Sequence, residues 1–126
     1  MTLKNREQFD QIVSFDSMTF GKLSPTDFDG FLEFNDKVFI IIETKYQDAQ
    51  MPLGQRLALE RICDAIYESG RISTVMVTSH NTPKDENIDL GNTTLTKIRW
   101  QKKWVVIKSG EKLNFAIKKL IEKYIE

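Results

Sequence analysis

Cysteine and histidine are nearly missing from this chain: each occurs once, as Cys63 and His80. A single cysteine excludes an internal disulfide and a clustered-cysteine zinc site, and a single histidine excludes a multi-histidine metal centre. No apolar run approaches the roughly 18 to 20 residues of a membrane span. Met1 to Arg6 lead into a polar, helix-patterned segment rather than a signal-peptide core, so a soluble, cytoplasmic protein without a membrane partner is expected. An excess of one charge is missing too. The 18 basic residues balance 18 acidic ones, so any surface that meets a polyanion must be local. No repeat or low-complexity tract interrupts the 126 residues, of which 40% are hydrophobic. That is about one domain, residues 1–126, around one core. Chemistry therefore falls to carboxylates, lysines and hydroxyls.

The apolar spacing predicts a short amphipathic helix from Leu3 to Val13, then an extended stretch to Thr26 broken at Pro25. From about Phe28 the period shortens to that of a strand. Asn35-Asp36 offers a turn, and Val38 to Ile42 form an apolar run suited to a strand buried on both faces, ending at Glu43-Thr44-Lys45. Leu53 to Ser69 carries Leu59, Ile62, Cys63 and Ile66 at helical spacing, with Pro52 before it and Gly70 after it. Ile72 to Ser79 is a β-branched strand in β-α-β order, Asn81 to Asn92 a loop, and Thr93–Arg99 and Lys103–Lys108 a pair of strands around Trp100-Gln101-Lys102. Ser109 is the expected cap of a last helix through Tyr124. The predicted class is α/β, a mixed sheet flanked by helices.

The residues that suggest chemistry are Asp27 and Asp29 ahead of one strand and Glu43-x-Lys45 at the end of the next. About two acid-x-lysine pairs are expected by chance and one is present, so the pair gains meaning only from context. Hairpin parity supplies it. With a two-residue loop the charges scatter over both faces. With a three-residue loop, Asn35-Asp36-Lys37, Asp29 falls opposite Glu43 and Asp27 opposite Lys45, on the face of Phe31, Phe39 and Ile41. The other face then carries Gly30, Leu32, Val38, Ile40 and Ile42 with Thr44 its only polar member, which keeps carboxylates out of the core. Directly opposed carboxylates have Cβ atoms about 4.5 to 5.5 Å apart and repel unless a cation lies between them. Mg²⁺ (or Mn²⁺), held by few protein oxygens and completed by water and phosphate, suits such a pair, and a lysine two residues on can position or polarise water.

At these positions the sequence resembles the PD-(D/E)xK nuclease superfamily, with Pro25-Thr26-Asp27-Phe28-Asp29-Gly30 as the first half of its motif and Glu43-Thr44-Lys45 as the second. The Asp29-to-Glu43 interval is similar to that of small resolvase-type members. The run from Gly54 to Arg61 looks like small stand-alone members from phages and prophages. The resemblance spans about Thr2 to Ser79 and departs in that no proline directly precedes Asp29, so Asp27 and Asp29 both stay open as the metal aspartate. It implies a restriction-endonuclease-like core, α-β-β-β-α-β, with a C-terminal hairpin and helix added. It implies a Mg²⁺-dependent nuclease of DNA in which Asp29, Glu43 and the Thr44 carbonyl hold the ion and Lys45 assists water. Gln55 is an expected substrate contact and Glu7 an expected auxiliary ligand; a homodimer would present two sites.

Each reading has a plainer rival. Asp29, Glu43 and Lys45 would otherwise form a solvated strand face with a cross-strand ion pair, though Glu43 at the end of a buried strand makes idle charge costly. Gln55 would bond locally and Glu7 would be a surface residue; His80, a candidate auxiliary residue touching substrate, would be a loop hydrogen-bonder, and Cys63 a small core residue. Arg99, Trp100, Lys102, Lys103 and Trp104 either track phosphates and stack bases, with Arg99 and Lys103 as substrate contacts, or serve packing. The rival functions are a non-catalytic module that binds nucleic acid or protein on the same fold, and a structural phage component.

Overall fold

The alternation of apolar and polar residues on either side of Asn35-Asp36 folds as a hairpin in the computed structural model, which describes residues 13–47 and 49–124. The predicted helix at Leu3–Val13, with Glu7, lies outside the described residues apart from Val13. Strand β1 (Gly30–Phe34) pairs antiparallel with β2 (Val38–Tyr46), and Phe34 opposite Val38 fixes the three-residue loop. Asn35 and Asp36 take φ of 50° and 60°, a left-handed conformation that short polar side chains tolerate. Arg71 clamps the turn through two bonds to the Asp36 carboxylate, both 2.8 Å.

Helix α1 (Leu53–Glu68) follows β2. Its stripe Gln55, Leu59, Cys63 faces the sheet at i, i+4 spacing, with Leu59 and Cys63 buried. Ile62, predicted to share that face, is exposed. Gly70 stops the helix at φ +93°, donating its N–H to Tyr67 O. Strand β3 (Ile72–His80) then runs parallel to β2, β4 (Thr94–Trp100) antiparallel to β3, and β5 (Lys103–Val106) antiparallel to β4. The five strands form one mixed sheet in chain order. Helix α2 (Leu113–Tyr124) covers the other face.

Two apolar clusters result. Ile41, Val75 and Val77 pack under Leu59 and Cys63 of α1, and Val38, Ile40, Ile42, Met76 and Leu95 pack under Leu113 and Ala116 of α2. The observed class is thus α/β, a mixed sheet between two helices.

Two expectations about elements are corrected. Strand β2 does not end within Glu43-Thr44-Lys45 but runs to Tyr46, because its parallel partner β3 extends with it from Glu43↔Val77 to Tyr46↔His80. Ser109 does not cap the last helix, which starts four residues later at Leu113. The intervening residues are used by the sheet: Leu95 N–H donates to Glu111 O and Leu113 N–H to Thr93 O. Strand β1 forms the sheet edge, and its Phe31 and Leu32 are both about half open.

Candidate functional site

The hairpin register carries the site. Paired positions run from Phe34↔Val38 to Gly30↔Ile42, the predicted three-residue-loop register. Glu43 follows on the face of Ile41, and Asp29, exposed and one residue before β1, is close enough for its carboxylate to act on that of Glu43. Asp29 is anchored from behind: its Oδ2 accepts the Thr44 backbone N–H at 2.8 Å. Thr44 turns its own side chain to the opposite face, where its hydroxyl lies 2.8 Å from that of Thr78, itself 2.8 Å from Thr93.

Glu43 is 4% exposed and follows Ile41 and Ile42 in β2. Its Oε1 lies 3.5 Å from Lys45 Nζ, while its Oε2 is buried and has no hydrogen-bond partner among the described residues. Burial, and then the neighbouring Asp29 carboxylate, push the Glu43 carboxyl up to about 7; Lys45 pulls the other way with less effect. Lys45 in turn donates to Gln55 Oε1 at 2.9 Å. Gln55 sits in the first turn of α1, so the helix start, the end of β2 and the start of β1 converge on one cluster.

An acceptor-rich pair with an orphaned, buried oxygen fits a hard cation. Asp29 and Glu43 supply carboxylates and Thr44 a main-chain carbonyl beside them. Among the described residues no group of three or more histidine, cysteine or acidic side chains stands together as a metal cluster. Asp29 and Glu43 are thus, of the described residues, the side chains that could meet a cation here.

The other sequence-derived candidates fall elsewhere. Asp27 is exposed, two residues before Asp29 and outside the paired part of β1. His80 ends β3, edge-on to Tyr46 with ring centroids 5.6 Å apart, and its Nδ1 accepts the Thr82 N–H. Arg99 is committed to Asp64 of α1 through bonds of 3.1 and 2.7 Å. Lys103 is exposed on β5, and Lys102 pairs with Glu68. Cys63 is buried against Ser73, as a core residue.

Two contributions escaped the sequence. Trp104 is held by α1, its indole N–H donating to Glu60 at 2.6 Å, although nothing in the spacing of either residue links them. Lys97, on the same face of β4 as Arg99, borders a cavity that also reaches Lys45. Compared with protein-family models, curated proteins and solved structures, the chain matches none. Among the described residues no helix is long and apolar enough to cross a membrane.

Proposed function

We propose that the protein is a Mg²⁺- or Mn²⁺-dependent nuclease that hydrolyses phosphodiester bonds in DNA. The observation that carries this reading is the buried Glu43 carboxylate, close to that of Asp29, with one oxygen unpartnered and the Lys45–Gln55 pair beside it. A strand interior holds such charge at a cost, and a functional role accounts for it better than a solvated face does. The likeness to the PD-(D/E)xK superfamily adds support, with Asp29 favoured over Asp27 as the metal aspartate by its bond to Thr44 and its closeness to the Glu43 carboxyl. A restriction-endonuclease-like core belongs to the same proposal: α1 between the parallel strands β2 and β3 suits its β-α-β end. Before α1 the described residues hold two paired strands and a single bridge between Phe20 and Leu23.

In this reading Asp29, Glu43 and the Thr44 carbonyl hold the ion. A bound divalent cation supplies charge neutralisation at the phosphate and eases deprotonation of water. The chain's own residues do the rest. The Thr44 N–H fixes the rotamer of Asp29. Gln55 accepts from Lys45 and so aims its ammonium along the face where the phosphate would lie. There Lys45 orients the attacking water and stabilises charge developing on phosphate oxygen, with no proton required of it. Ile41, Val77 and Leu59 pack on the same face as Glu43, and the burial of Glu43 would strengthen its hold on a cation.

The test is cleavage of plasmid, single-stranded, duplex and branched DNA with Mg²⁺ or Mn²⁺, by the wild type and by Glu43→Gln and Lys45→Met proteins. Metal-dependent cutting that both changes abolish supports the enzyme. Cutting that survives both changes refutes it. A second reading, a non-catalytic module, rests on the cations and tryptophans of β4 and β5; it predicts salt-sensitive DNA retention indifferent to Mg²⁺ and to Glu43.

A further inference from the structure

We propose, building on the nuclease reading, that the cavity between the end of β2 and β4 seats a nucleotide flanking the cut, and that Lys97 holds a phosphate of that nucleotide.

The cavity lies where β4 carries one residue more than β3 requires. Val77 pairs with Lys97 and Thr78 with Leu95, which leaves Thr96 as the extra residue of a bulge. Its hydroxyl is tied to Val77 O at 3.1 Å. Bulges of this kind bend a strand and re-aim its side chains. The cavity here, of about 300 Å³, is lined by Lys45, Gln50, Met51, Ser79, Thr96 and Lys97 among others. That volume is at the low end of the range for small-molecule sites. The described residues that line it include two cations and no carboxylate.

Register places Lys97 relative to the candidate metal site. Glu43 pairs with Val77 and Val77 with Lys97, so the three form one row across the sheet and share a face. Two strand spacings separate Glu43 from Lys97, roughly 10 Å between backbones. The Lys97 ammonium lies 4.8 Å from the centre of the Trp104 ring. That ring is itself fixed by Glu60, so the cation is positioned without being neutralised. Its neighbours differ: Arg99 is paired with Asp64 and Lys102 with Glu68, whereas Lys97 has no ion pair among the described residues. Gln50, Ser79 and Thr96 offer hydrogen-bonding groups and Met51 an apolar wall, a mixture suited to a sugar and a base edge rather than to a purely apolar ligand.

The experiment measures anisotropy of labelled single-stranded, duplex and branched oligonucleotides with the full chain in Ca²⁺ across a salt series, alongside cleavage in Mg²⁺. With Lys97→Met, binding of the cleaved form should weaken about tenfold and the slope of log K against log salt should flatten by about one unit. Lys97→Arg should restore both, and Lys97→Gln replaces Lys97→Met if that protein does not fold. A single neutral methylphosphonate walked along the strand should weaken wild-type binding at a flanking position and cost nothing there in Lys97→Met. An unchanged slope, or a methylphosphonate penalty equal in both proteins at every position, overturns the assignment of Lys97. If the wild type does not cleave, or Glu43→Gln cleaves normally, the nuclease reading falls by itself and the salt slope still decides Lys97. Absence of salt-dependent binding to any oligonucleotide overturns both.

Discussion

Helix α1 faces two charged clusters of opposite character. Toward its C-terminal half, Asp64 takes the Arg99 guanidinium in a two-pronged pair that leaves neither partner wanting. At its N-terminal turn, about 13 Å away along the axis at the usual rise per residue, Gln55 meets Lys45 while Glu43 keeps a buried oxygen without a partner. Both lie on one face of one sheet. The first cluster is closed and its geometry serves packing; the second is open and its charge is poised for something the chain does not itself supply. A buried acceptor without a partner calls for an explanation, and the proposed cation is one.

The comparison breaks most severely at Glu43. Glu43→Gln removes a carboxylate from the open cluster, and single-turnover cleavage should fall at least about a hundredfold, with folding intact by circular dichroism. A rate within tenfold of wild type would mean that the open cluster is not the working one. Asp64→Ala opens the closed cluster instead. It should cost about 2 kcal/mol in urea unfolding, by leaving Arg99 without its charged acceptor, while the cleavage rate per folded molecule holds.

A third effect reads the imbalance directly. The Glu43 carboxyl is held at about 7 in the folded chain, above its ordinary 4.5. The unfolded chain releases this proton first, so the folded state binds more protons between about pH 4.5 and 7, and stability falls as pH rises through that window. Metal-free thermal melts should show this decline. Glu43→Gln should abolish it, and Mg²⁺ added at pH 7.5 should reverse part of it, since a cation bound there stabilises the ionised form. The smallest effect is expected at Lys103, exposed on β5. Lys103→Ala should change cleavage and melting by less than the scatter between preparations.

The hairpin was legible because apolar alternation disfavours the wrong register: moving the pairing by one residue would turn Glu33 to the face that carries Val38, Ile40 and Ile42. That parity, read with Glu43-x-Lys45, was enough to bring Asp29 close to Glu43. The continuation of β2 to Tyr46 was not, because a charge at position 43 looks like a strand end until a parallel neighbour pairs past it. The start of α2 was misread at Ser109 for a similar reason, since Glu111 and Lys112 are taken by pairing with β4 that local sequence does not reveal. Arg99 stood out among aromatics and proved to be engaged, whereas Lys97 gained its setting from a bulge that leaves no mark in the pattern.

The bond from the Thr44 amide to Asp29 has a consequence for timing. Asp29 lies at the end of the edge hairpin farthest from the Asn35-Asp36 turn that closes it. Hairpin ends open more often than the strands at the centre of a sheet. Each such opening frees the Thr44 amide and takes Asp29 away from Glu43. The solvent exchange rate of that one amide proton is therefore a clock for assembly of the whole site, and should slow when a divalent cation joins the two carboxylates.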